Sequence, residues 1–167
     1  MSMTTRRSRK KRVIVLGVGN LLLRDDGVGI HAVRKLATMN LPPEVEVVDG
    51  GTAGLGLLSY FEEADMVVLI DCLDAGTSPG TIYRIPVAEL DLDHAREAVS
   101  LHEMQLRDVL VLAKRLGKLP PAVVYGVQPA AIAWGTELSP EVADVLPRLA
   151  DLVKSDVLSW LNKEDLF

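Results

Sequence analysis

Carboxylate side chains follow two apolar runs of the sequence, in places where a metal-binding or catalytic site can form. Asp25 and Asp26 come after the apolar segment 13–16 and a glycine turn, and Asp71 directly follows the apolar segment 66–70. Both segments are expected to be buried strands. In open α/β proteins, ligands bind beyond the carboxyl ends of such strands. The sequence therefore predicts an acidic site at that edge of a sheet.

A histidine is expected at the same edge. Ser100 and Glu103 form the S-x-x-E pattern of a capping box, which predicts a helix starting at Ser100 with His102 in its first turn. The positive end of a helix disfavours a charged imidazolium and keeps the ring able to bind a metal. Asp26, Asp71 and His102 would then offer two oxygen ligands and one nitrogen ligand to a divalent transition ion, with positions left for water or substrate.

The same residues have simpler interpretations. Either Asp25 or Asp26 is expected to be a helix N-cap, an aspartate that ends a strand can accept bonds from loop amides, and His102 can be a solvated surface residue. The Gly-x-Gly turn at 17–19 also allows a nucleotide-binding interpretation. Against it, Leu22 stands where a dinucleotide motif needs its third glycine, and carboxylates would repel a pyrophosphate.

Other candidate residues are assigned structural roles. Cys72 is the single cysteine and is expected to be a core thiol, which excludes an intrachain disulfide and a cysteine-rich zinc site. A single cysteine fits a reducing cytoplasm. His31 and His94 are expected on the surface. Ser100 is expected to cap its helix and not to act as a nucleophile.

Charge is distributed unevenly along the chain. Six of the first twelve residues are Arg or Lys, and without these six positive charges the net charge falls from −5 to −11. An acidic body argues against nucleic-acid binding. No stretch is apolar for the roughly 18 residues of a membrane span. Residues 1–12 are predicted to be a disordered basic tail, and residues 13–167 a single domain.

The periodicity of the apolar residues predicts alternating strands and helices. Strands are expected at 13–16, 45–48, 66–70, 80–87 and 122–128, the third being central and the fourth an antiparallel edge strand. Helices are expected at 26–40, within 55–64, from 100 to 116, and from Ser139 onward, with Pro140 at the first position. This order predicts an α/β fold, a three-layer domain whose twisted, mostly parallel sheet of about five strands has helices on both faces.

Five ordered motifs together resemble the [NiFe] hydrogenase maturation endopeptidases. They are "VLGVGNLLLRDDGVG", "VDGGTAG", "VVLIDCLDAGTSPGTIYRI", "SLHEMQLRDVL" and "GVQPAAIAWGTELSPEV". The resemblance covers about residues 13–145. It implies a single α/β domain and an endopeptidase that removes the C-terminal extension of the hydrogenase large-subunit precursor after nickel insertion.

The resemblance also implies how the substrate is recognised. The nickel is supplied by the precursor and contacted by two carboxylates and a histidine, which fall on Asp26, Asp71 and His102; the same three residues are the expected catalytic set. Many relatives carry Glu at the position of Asp26. A cytoplasmic monomer is expected, with the precursor as its partner. Two alternative functions remain compatible with the sequence: a nickel carrier or assembly chaperone that does not cleave the precursor, and a Rossmann-like nucleotide-binding protein.

Overall fold

Five strands form one sheet in the computed structural model, which describes residues 9–52, 54–93 and 101–163, without the side chains of 101–105. The strands are β1 (Val13–Val18), β2 (Val45–Gly51), β3 (Met66–Cys72), β4 (Ile82–Pro86) and β5 (Ala122–Val127). Their order in the sheet is β2-β1-β3-β5-β4, and only β4 pairs antiparallel. The predicted fold class is confirmed, with a central third strand and an antiparallel edge strand.

Four helices cover the two faces of this sheet. They are α1 (Val28–Ala37), α2 (Leu58–Glu63), α3 (Leu101–Arg115) and α4 (Pro140–Leu161). Alternating strand residues separate two apolar clusters, as expected for strands buried on both faces. One cluster joins α1 and α4 to Val13, Val15, Val68 and Ile70. The other joins α2 and α3 to Ile14, Leu16, Val67 and Leu69.

The segment after β1 differs from the prediction. A helix was expected over 26–40, but a 3-10 turn at Arg24–Gly27 precedes α1, which spans only Val28–Ala37. Arg24 has a φ of +49°, the only positive φ of a non-glycine residue in the described part of the chain. This left-handed residue turns the chain sharply before the helix begins. The tight turn brings the two acids close to the end of β1.

Gly29 allows α1 to approach the sheet closely. A Cβ at this position would lie 2.2 Å from the Ile70 carbonyl oxygen and 2.5 Å from that of Val18. These are backbone atoms of β3 and β1, and they cannot move without shifting the sheet. The glycine therefore fixes how near the start of α1 sits to the carboxyl ends of both strands.

Gly29→Ala is expected to lower the free energy of unfolding by about 3 kcal/mol, the upper end of the usual range for overpacking, because the added methyl group meets backbone on two strands. Urea denaturation measures this change. Ser155→Ala, on the exposed side of α4, serves as control and should change the stability by less than about 0.5 kcal/mol. Equal stability of the two variants would show that α1 can move away from the sheet at no cost.

Part of the predicted tail lies against the body of the protein. Residues 1–8 lie outside the described residues. Arg9 and the Arg12 backbone N–H both bind the Asp65 carboxylate, and the Lys11 ammonium group donates to the Lys163 carbonyl at 2.7 Å. The same ammonium group lies 5.3 Å from the centre of the Trp160 ring. Arg9, Lys11 and Arg12 thus contact acidic, carbonyl and aromatic groups of the body.

Candidate active site

Asp26 is held beside the glycine turn that follows β1. Its side chain is buried, with 4% of its surface exposed, and Oδ2 accepts a hydrogen bond from the Asn20 backbone N–H at 3.0 Å. Gly19 has a φ of +140°, and a Cβ there would lie 2.0 Å from the Asp26 carbonyl oxygen. Only glycine permits this contact. The glycine turn therefore packs directly on the aspartate.

The same contacts occupy amides that a phosphate-binding turn would use. The Gly19 N–H donates to the Gly51 carbonyl at 3.0 Å, and the Asn20 N–H donates to Asp26. A phosphate loop needs such N–H groups directed at the ligand. The geometry of the turn favours presentation of a carboxylate over binding of a nucleotide.

Asp71 lies near the carboxyl end of β3. It is 5% exposed, and its Oδ1 accepts a hydrogen bond from the Cys72 N–H at 2.7 Å. In a strand, every second side chain shares a face. Asp71 therefore shares its face with Val67 and Leu69, which pack in the cluster that contains α3.

Both aspartates belong to the same edge of the sheet. β1 and β3 are parallel neighbours, with Gly17 in register with Ile70. The 3-10 turn that carries Asp26 contacts β3. The connection after β1 leads to β2 on one side of β1, while β3 lies on its other side. Ligands of open α/β sheets bind in the crevice that forms beyond the strand ends at such a point.

The third predicted residue, His102, is placed only by its backbone. α3 begins at Leu101, which puts His102 in the first turn of a helix on the face shared by Asp71. Its side chain lies outside the described residues, as does the predicted cap Ser100. Among the described side chains, no three His, Cys, Asp or Glu residues form a group that could hold a metal. The set of Asp26, Asp71 and His102 stays a prediction.

Asp25 has a structural role that the sequence did not reveal. Its side chain is fully buried, and its two oxygens accept four hydrogen bonds, from the backbone N–H groups of Ala130, Ala131 and Ser139 and from the Ser139 hydroxyl, at 2.7–2.9 Å. Burial alone would raise the pKa of this carboxyl group, but the four bonds outweigh it and hold the pKa below its ordinary value. Asp25 is an ionised anchor between the turn and the segment before α4.

These contacts correct the expected capping. Neither aspartate caps α1, whose N-cap position is Gly27, without a side-chain bond. Ser139 and Pro140 do occupy the N-cap and first positions of α4, as predicted. The Ser139 hydroxyl, however, donates to Asp25 and not to its own helix. Pairing across 114 residues leaves no local signal in the sequence.

Gln128 is a second buried polar residue that the sequence reasoning missed. Its Oε1 accepts a bond from the Ala75 N–H at 2.8 Å, and its Nε2 donates to Asp74 Oδ1 at 3.0 Å. The side chain thereby fixes the loop that follows β3 and Asp71. The bond from Gln128 and one from the Gly76 N–H lower the pKa of Asp74. The only hint in the sequence is the position of Gln128 directly after β5.

Two minor predictions have different outcomes. Cys72 is buried in the core, as expected. His31 was expected on the surface but is half-buried, and its Nε2 is buried with no hydrogen-bond partner among the residues that the structure describes. Burial and the nearby Arg34 lower the pKa of His31 and favour the neutral ring. His94 lies outside the described residues.

Known proteins are similar to this chain in both sequence and fold. A family model described as "Hydrogenase maturation protease" matches residues 30–156. The chain belongs to the hydrogenase maturation protease family. The hydrogenase expression/formation protein HupD of Bradyrhizobium diazoefficiens is 35% identical over 156 residues, which are 92% of this chain and 81% of that protein.

Solved structures of maturation proteases agree with the fold. The hydrogenase maturating endopeptidase HybD from E. coli superposes with a TM-score of 0.81 at 30% identity, covering 89% of this chain and 93% of that one. The [NiFe] hydrogenase maturation protease HycI from Thermococcus kodakarensis gives a TM-score of 0.69 at 27% identity, with the same coverage. The protein is therefore an endopeptidase of hydrogenase maturation, as the sequence predicted.

An endopeptidase must bind a polypeptide and activate a nucleophile, either water or a side chain, for attack on a peptide carbonyl. In this maturation protease, Asp26 and Asp71, both buried near the carboxyl ends of β1 and β3, are the candidates for that chemistry. No helix in the part of the chain that the structure describes has both the length and the apolar character needed to cross a membrane.

Proposed function

We propose that this protease removes the C-terminal extension of the [NiFe] hydrogenase large-subunit precursor after nickel insertion, with the nickel of the precursor as its recognition element. Asp26, Asp71 and His102 contact that ion. The single observation that supports this proposal is the placement of two buried carboxylates at the ends of the neighbouring strands β1 and β3. Oxygen and imidazole ligands suit a divalent transition ion.

The rigidity of the two carboxylates supports a role in recognition. Asp26 is held by the Asn20 amide, and Asp71 by the Cys72 amide. Side chains held in place lose little freedom when they bind a ligand, so more of the contact energy appears as affinity. A precursor without nickel would lack that contact. Hundredfold discrimination between the two precursors requires only about 2.7 kcal/mol.

Hydrolysis also needs a proton acceptor. In the proposed reaction, the oxygen of a water molecule attacks the scissile carbonyl carbon while a carboxylate of the pair takes one of its protons. The peptide C–N bond then breaks, and the leaving amine receives the proton. The products are the shortened precursor with a new carboxylate and a released C-terminal peptide.

Nickel-loaded precursor is expected to be cleaved at least about a hundredfold faster than nickel-free precursor, because only the loaded form can contact the three residues. Intact-mass measurement over time after mixing with the protease follows the cleavage. The mass of the large-subunit precursor should fall by that of a short peptide, which appears as a separate species.

Two outcomes would contradict the proposal. Equal cleavage of loaded and nickel-free precursor would exclude nickel as the recognition element. Movement of nickel from the precursor to the protein, without any loss of precursor mass, would support the alternative of a nickel carrier or assembly chaperone. Samples without the protease serve as the control for spontaneous cleavage.

The state and location of the enzyme stay predictions. A monomer is expected to elute from a size-exclusion column in accordance with its mass of 18.1 kDa. The cytoplasm is the expected location, because the single cysteine fits a reducing compartment.

A further inference from the structure

Large apolar side chains are exposed next to the candidate active site. Trp134 is 82% exposed, Leu22 54% and Ile132 49%. Leu22 lies four residues before Asp26, and the other two lie in the segment between β5 and α4. We refer to Leu22, Ile132 and Trp134 together as the tryptophan patch. Clusters of exposed apolar side chains on soluble proteins mark interaction sites.

Backbone hydrogen bonds join the two segments of the tryptophan patch. The Gly135 N–H donates to the Leu22 carbonyl, and the Arg24 N–H donates to the Gly135 carbonyl, both at 2.9 Å. Gly135 has a φ of +152°, and a Cβ there would lie 3.0 Å from the Arg24 Cγ. The glycine permits this close pairing. Leu23 and Gly135 also form an isolated parallel β-bridge.

The Asp25 anchor fixes this paired region relative to the catalytic edge. The Asp25 carboxylate binds the Ala130 and Ala131 amides, and the next residue of the chain is Asp26. Trp134 is therefore exposed on a segment that hydrogen bonds hold to the turn carrying the proposed metal contact. A molecule that makes apolar contacts with the tryptophan patch would therefore be held in a fixed position relative to Asp26.

The chemistry of the patch indicates its occupant. Residues 129–135 carry no charge, whereas the protein beyond its basic tail is strongly acidic. Since residues 129–135 carry no charged side chain, their side chains offer a bound molecule apolar contacts, and the charged side chain that packs beside them is that of Arg24. An endopeptidase must hold its polypeptide substrate at this edge, and tryptophan is a common anchor in protein interfaces.

We infer that the tryptophan patch binds apolar side chains of the polypeptide substrate close to the bond that is cut. This inference rests on the proposed function. A second copy of the chain is a poorer occupant, since a stable interface engages about 20–30 residues on each side and the tryptophan patch has Leu22, Ile132 and Trp134. A single apolar anchor beside the proposed nickel contact needs no such extended surface.

Trp134→Ala is expected to raise KM for nickel-loaded precursor by about tenfold or more, as for an interface anchor, and to leave kcat within about twofold. Trp134→Phe should restore most of the affinity. Leu116→Ala is the matched control, because Leu116 is 52% exposed but follows the end of α3, away from the carboxyl edge of the sheet. Its KM should equal that of the wild type.

Fluorine NMR gives a second readout that does not depend on cleavage. The chain has two tryptophans, so protein labelled with 5-fluorotryptophan should show two resonances, and the one missing in Trp134→Ala is that of Trp134. Unlabelled precursor should change the chemical shift of the Trp134 resonance and leave the chemical shift of Trp160 unchanged, while both lines broaden because the complex tumbles more slowly.

A KM of Trp134→Ala within twofold of wild type, or an unchanged Trp134 resonance at saturating precursor, would overturn the inference. So would sedimentation of the wild type as a dimer that Trp134→Ala converts to a monomer. Absence of cleavage by the wild type is a separate result. It would count against the proposed function, while the NMR titration would still test precursor binding at the patch.

Discussion

Asp71→Asn is expected to abolish cleavage of nickel-loaded precursor while the protein remains folded. Asparagine keeps a side-chain oxygen that can accept the bond from the Cys72 N–H, so the end of β3 should hold its shape. It lacks the negative charge and the basic oxygen of the carboxylate. Loss of a general base alone costs about a hundredfold to ten-thousandfold in rate, and loss of a nickel contact adds to this.

Intact-mass measurement of the cleaved fraction over time tests this prediction, with urea denaturation as the check on folding. Asp151→Asn is the matched control, because it removes a carboxylate from the exposed side of α4 and should cleave like the wild type. Full cleavage by Asp71→Asn would show that Asp71 neither contacts nickel nor accepts the proton.

Asp26 offers a finer test of the same site. Asp26→Asn should behave like Asp71→Asn. Asp26→Glu should retain measurable cleavage, because the resemblance to the family implies that a glutamate at this position can serve, although its extra methylene group must be accommodated beside Asn20. Loss of all cleavage in Asp26→Glu would indicate that the backbone at residue 26 is positioned for the shorter aspartate side chain.

The elements of the fold were predictable because each rests on a local pattern. The uninterrupted apolar run of β3 indicated a strand buried on both faces, and it occupies the centre of the sheet. The Ser139-Pro140 pair marked the start of α4. The predicted ends of the strands and helices were less accurate. The sequence pattern did not separate the 3-10 turn from α1, whereas in the structure the positive φ of Arg24 and the non-helical N-cap Gly27 do.

The candidate site was predictable only in part, for a physical reason. Asp25 and Asp26 are adjacent, chemically identical and both buried, so their different roles depend on the partners that each side chain meets in the folded protein. Asp25 meets amides from residues more than a hundred positions away, and Gln128 meets the loop after β3. Such long-range polar contacts arise only when the sheet assembles, and no local spacing encodes them.

Asp25→Ala is expected to lower the free energy of unfolding by about 3–5 kcal/mol, more than the same substitution at an aspartate on the exposed surface. The substitution leaves the amides of Ala130, Ala131 and Ser139 without their acceptor in a fully buried position. The melting temperature should fall by roughly 10 °C. Urea and thermal denaturation measure the two quantities.

Ser139→Ala provides a graded control for this prediction. It removes only the hydroxyl bond to Asp25 and leaves the three amide bonds, so its effect should be about 1.5 kcal/mol. Asp151→Asn should change stability by less than about 0.5 kcal/mol. If Asp25→Ala were as mild as Ser139→Ala, the three amides would have found other partners and the anchor would be dispensable.

The effect of Asp25 should also depend on pH in a defined direction. Its hydrogen bonds, opposed by burial, hold the pKa below the ordinary value of 3.8 in the folded protein. The unfolded chain therefore binds a proton first as the pH falls, and the stabilisation by the ionised group is present above pH 3.8 and lost below it. The stability difference between wild type and Asp25→Ala should be constant from pH 7 to about 5 and narrow towards pH 3. If the stability difference between wild type and Asp25→Ala stayed constant down to about pH 3, these bonds would not be holding the carboxyl group in its ionised form.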